Sequence, residues 1–139
     1  MGKASRSKQE RRNKPLLYHF TSRMHLPVIE ATGFLNTTES NLSFKASRVG
    51  PDVVWLLDTE SADDYPHGLT GIVDKTAVRI TVRTNAVRWT EWVKRQPGYD
   101  PVSAAVLVET GGGPEAASHW WVAEHPIPRS EWVDVETRS

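Results

Sequence analysis

The chain has 139 residues, no cysteine, and 17 basic side chains balanced by 17 acidic ones. That length implies one domain with a core of its own. It holds no disulfide, thiolate metal site or cysteine nucleophile, and no apolar run approaches the roughly 20 residues that span a bilayer.

The neutral total hides a split. Residues 1–15 carry six basic side chains against the single acid Glu10, a charge of +5 that leaves −5 for the remainder. So polar a stretch cannot offset its ordering entropy, so 1–15 reads as a basic disordered tail and 16–139 as a single α+β domain. Clustered Lys and Arg displace counterions from nucleic acid, so the tail is a candidate nucleic-acid arm; the plainer reading is a solubilising terminus. No signal-peptide apolar core follows it, so a cytoplasmic location without membrane contact is expected.

In chain order, Leu16 to Phe20 reads as a first strand. Ser22 to Gly33 reads as a short helix, capped by Thr21 or Ser22 and closed by Gly33 in the left-handed region. Asn36 to Pro51 is loop-like, with Leu42 and Phe44 as anchors. The apolar run Val53 to Leu57 predicts a strand buried on both faces. Asp58, Glu60, Asp63 and Asp64 then read as a turn, since their spacing lacks the pattern of a calcium loop.

Thr76 to Val82 alternates strictly, placing Val78, Ile80 and Val82 on one face and Arg79, Thr81 and Arg83 on the other. Thr90 to Arg95 reads as a turn of helix capped by Thr90. Ala104 to Glu109 and His119 to Ala123 read as strands joined by the glycine loop 110–115, and Trp132 to Val135 as a last strand. Strands outnumber helices without regular βαβ alternation. The expected fold is therefore α+β, a strongly bent or split, mainly antiparallel sheet with few short helices.

Six tryptophans are many for this length. Indole has a large apolar body and one N–H that seeks a partner, so core filling and stacking on a flat ligand are both open to them. Trp120 and Trp121, adjacent on a strand, must point to opposite faces. The five histidines show no metal-binding spacing, and neither a G-x-S-x-G elbow nor a phosphate-binding G-x-x-x-x-G-K-[ST] loop is present. Arg79 lies on a polar strand face and can grip phosphate through paired N–H bonds.

The most informative segment is Leu17-Tyr18-His19-Phe20-Thr21. Two-histidine phosphoesterases need a His-x-Thr unit twice, and the second copy is missing here. Followed by Leu26-Pro27-Val28-Ile29-Glu30-Ala31-Thr32-Gly33-Phe34-Leu35, the segment resembles the opening of the ADP-ribosyltransferase superfamily. There, an aromatic-His-x-Thr strand leads into a short helix ending in Gly-hydrophobic. Val53 to Leu57 resembles the family's second motif strand, and Ser118 to Val122 lies where its catalytic-acid strand belongs.

The resemblance implies a split sheet gripping NAD, with His19 on a ribose hydroxyl and Thr21 supporting the turn. Trp55 would be the aromatic that stacks on nicotinamide, with Tyr65 a substitute, and Tyr18, Phe20 and Arg79 would line the nucleotide site. The family commonly has glycine after the histidine, where this chain has Phe20. At the acid's position stands His119, with Glu109 and Glu124 as neighbouring carboxylates. The expected activity is transfer of ADP-ribose to an acceptor without a metal. The alternative is a non-catalytic nucleic-acid or protein interaction module using the basic arm.

Overall fold

The computed structural model describes residues 14–38, 43–44, 48–49, 52–60, 76–96 and 99–137. Ten strands are described: β1 (Leu16–Thr21), β2 (Phe34–Leu35), β3 (Ser43–Phe44), β4 (Arg48–Val49), β5 (Val54–Leu57), β6 (Val78–Arg83), β7 (Val87–Arg88), β8 (Trp120–Ala123), β9 (Ile127–Pro128) and β10 (Trp132–Thr137). The helices are α1 (Leu26–Thr32), α2 (Trp89–Trp92), α3 (Pro101–Thr110) and α4 (Pro114–Ala117). The architecture is α+β with a mainly antiparallel six-stranded sheet, two small two-stranded sheets and short helices. Among the described residues no helix is long and apolar enough to cross a membrane.

The main sheet runs β10-β6-β1-β5-β8-β7, every pair antiparallel. Its two sides are well zipped. β1 and β6 pair in register from Leu16↔Arg83 to Thr21↔Val78, and β5 and β8 from Val54↔Ala123 to Leu57↔Trp120. Between these sides, β1 and β5 share one registered pair, Tyr18↔Leu57.

Alternation along the strands gives the sheet two buried faces. On one, Leu17, Val54, Leu56, Val78, Ile80 and Val82 form an aliphatic core, against which Leu26 and Ile29 of α1 pack. On the other, Val53, Trp89, Trp92, Val93, Trp120 and Val122 pack beneath α2, α3 and α4. The Val53–Leu57 segment thus meets apolar surroundings on both sides, as its composition predicts.

Four local expectations are corrected. Ala104 to Glu109 is not a strand but most of α3. Asp100 caps that helix, its Oδ1 accepting from the Val102 N–H at 3.2 Å, and Pro101 occupies the first turn, where a missing N–H is harmless. The glycine stretch therefore links two helices rather than two strands. Gly111 is there for space: a β-carbon would overlap Trp120 Cζ2 and sit 2.5 Å from Cη2.

Helix α1 ends at Gly33 with φ of 76°, as read from the sequence. Its N-cap is His25, without a side-chain cap bond. Thr21 and Ser22 direct their hydroxyls at His25 Nδ1 instead. Thr90 likewise lies inside α2, whose N-cap is Arg88.

Candidate functional site

His19 sits one residue past the single β1–β5 pair, where the ladder between these strands stops. Its Nδ1 lies 2.9 Å from the Trp55 carbonyl oxygen on the far side of that seam. A carbonyl only accepts, so Nδ1 carries the proton and Nε2 the lone pair. Burial lowers the His19 pKa below the ordinary histidine value, the bond to Trp55 works in the opposite direction, and the charge of His25 lowers it further. His25 is itself held at the end of β1, Nδ1 standing 3.0 Å from Ser22 Oγ and 3.4 Å from Thr21 Oγ1.

A second polar group lies across the seam. The Asp58 N–H, just past β5, donates to the His119 carbonyl at 3.2 Å. The Asp58 carboxylate then takes two donors: His119 Nδ1 at 2.6 Å and Trp121 Nε1 at 3.0 Å. Arg88 completes the arrangement. Its Nη1 donates to the Ser118 carbonyl at 3.1 Å and approaches Asp58 Oδ2 at 4.0 Å, and its guanidinium lies 4.9 Å from the Trp121 ring centroid. A carboxylate on Nδ1 holds the imidazole in one tautomer and orientation, which suits Nε2 to proton transfer.

The three strands carrying the motif residues, β1, β5 and β8, are consecutive in the sheet. The expected single crevice of His19, Trp55 and His119 is nonetheless corrected by side-chain direction. His19 is registered opposite Ile80 and so shares the aliphatic face. Trp55 points to the other face, where its ring stacks on Trp89 at 6.5 Å and meets Trp120 edge-on at 5.9 Å. The aromatics packed on the face of His19 are Trp121, registered opposite Leu56, and Trp132, registered opposite Val82. Trp120 and Trp121 do diverge, as their adjacency predicts.

The remaining candidates scatter. Tyr18, registered with Leu57, and Phe20, registered with Arg79, alternate to the face of Trp55. Arg79 is committed within the protein, donating to the Glu60 carbonyl at 2.9 Å, pairing with Glu136 and lying 5.6 Å from the Tyr18 ring centroid. Thr21 is buried at the His25 contact. Glu109 is exposed on α3 rather than ending a strand, and Glu124 accepts from Trp92 Nε1 at 2.6 Å. Tyr65 and residues 1–13 lie outside the described residues. Among the described residues, no cluster of three or more histidine or acidic side chains is arranged to hold a metal.

Asp58, Arg88 and Trp121 are the residues that reading by motif missed. The available signal was Asp58 itself, an acid closing an apolar strand. What it bonds depends on the β5–β8 register. In comparisons with known proteins, no family model, curated sequence or solved structure matches the chain.

Proposed function

We propose that this chain is an ADP-ribosyltransferase-like domain that takes NAD or a related nucleotide as substrate at the β1–β5–β8 seam and transfers ADP-ribose to an acceptor. The observation that carries this reading is the adjacency of the three motif strands, far apart in sequence, at the point where the sheet is least zipped. The available groups suit a nucleotide. His19 Nε2 accepts from a ribose hydroxyl, the half-exposed Arg88 guanidinium offers donors to phosphate, and Trp121 supplies a flat ring.

The substrate supplies a glycosidic bond whose cleavage leaves positive charge on the ribose carbon and sends the electron pair out with nicotinamide. His19, kept neutral by burial, positions the ribose without adding charge. Asp58 provides negative charge near the developing cation, and His119 Nε2 takes the proton the acceptor loses. In this reading the pair Asp58–His119 stands where the family places its glutamate, and Trp121 replaces Trp55 as the stacking ring.

Thermal-shift titration with NAD, followed by a nicotinamide-release assay, tests the proposal. NAD at a hundred times its dissociation constant stabilises the fold by about 2.7 kcal/mol. His119→Ala should retain that melting shift and lose about 10²- to 10⁴-fold in nicotinamide release. An absent shift at millimolar NAD, with a salt-sensitive shift on adding RNA, overturns the reading in favour of a nucleic-acid module acting through residues 1–15.

A further inference from the structure

On the tryptophan face, away from His19, α2 and α3 enclose an open groove of about 650 Å³. One wall is Trp89 and Val93; the other is Pro101, Ala104, Ala105 and Val108. These last four fall at positions i, i+3, i+4 and i+7, a single stripe along α3. Their small size is why the groove exists: alanines cannot fill the space opposite an indole. From Pro101 to Glu109, α3 rises about 12 Å, which matches three to four residues of extended chain at about 3.3 Å each.

The polar groups are placed at the two ends. Lys94 precedes the short connection into Pro101, and Glu109 lies two turns along α3, beside Gly113 and Pro114. Neither side chain pairs with another group among the described residues. The groove is thus apolar along its length, positive at one end and negative at the other.

We infer that this groove docks an extended segment of a partner protein, three to four residues long. The segment is apolar in the middle, with an acidic residue at the Lys94 end and a basic residue at the Glu109 end. The apolar middle covers the stripe of small residues, and the paired charges seat the two ends of the segment.

The test uses the full chain and two acetylated, amidated peptides, Glu-Leu-Phe-Lys and its neutral counterpart Gln-Leu-Phe-Gln, titrated by intrinsic tryptophan fluorescence and calorimetry. The charged peptide should bind more tightly, by about two- to fivefold for each charge engaged. The double variant Lys94→Gln/Glu109→Gln should remove that preference. Ala105→Leu, at an exposed position, should abolish binding with an unchanged melting temperature. Equal binding of both peptides, a preference that survives the double variant, or no saturation at millimolar peptide would each overturn the inference.

Discussion

On one face of the sheet, Val78, Ile80 and Val82 meet Leu17 and Leu56, all aliphatic and all essentially inaccessible to solvent. On the other, Trp89, Trp92 and Trp120 fill a similar depth with three indoles, Trp89 and Trp120 meeting edge-on at 5.1 Å. Aliphatic side chains ask only for volume. Indoles also ask for a partner for each N–H and for backbone that stands aside. The tryptophan face meets these demands with Glu124 beneath Trp92 and Gly111 beneath Trp120, and leaves Trp89 unmet. The aliphatic core can therefore be perturbed through volume, and the tryptophan core through single contacts.

The sharpest break is expected on the aliphatic side. Ile80→Ala should cost about 3–4 kcal/mol, read from denaturant midpoints, because its surroundings can relax only partly around the cavity. Gly111→Ala follows at about 2–3 kcal/mol, since one methyl must displace a packed indole. A cost below 1 kcal/mol would mean that Trp120 swings aside freely.

Smaller still is the contrast between two tryptophans on one face. Trp92→Phe deletes a bond to a carboxylate, worth about 1.5–3 kcal/mol. Trp89→Phe deletes an N–H that bonds nothing, so it should cost less, the difference being read from paired thermal melts.

The smallest expected effect is that of pH on His19. Its folded pKa is lowered, so the folded state holds fewer protons at this site than the unfolded chain. The stability this contributes is present above the unfolded value of about 6.5 and lost as pH falls below it. Melting temperature should therefore drop from pH 8 to pH 5 more in the parent protein than in His19→Asn, which keeps a donor for Trp55 but does not titrate. Equal slopes would show that the imidazole is not buried in the folded protein.

Much of this contrast could be read from residue order. The alternation in β6, the left-handed Gly33 and the divergence of Trp120 and Trp121 follow from local periods of two or of one helical turn, which the chain carries in itself. Helix α3 departs from the expected strand because Val102, Val106 and Val108 favour strands, while the stronger signal, Asp100-Pro101 at a helix start, lies just upstream. The link of His119 and Trp121 to Asp58 needs the β5–β8 register, a long-range quantity that no local pattern encodes. The same holds for the direction of Trp55: a run apolar on both sides does not say which of its residues shares a face with His19.

The lone rung between β1 and β5 bears on how the molecule breathes. The ladders on either side hold six consecutive pairs between β1 and β6 and four between β5 and β8, while β1 and β5 are joined by one such pair plus an imidazole. His19 thus adds a latch to a line that has a single rung. Local opening is expected to start along that line, where fewest registered pairs need to break. A molecule wedged in there would trade the latch for its own contacts, at the place where the sheet has least to lose.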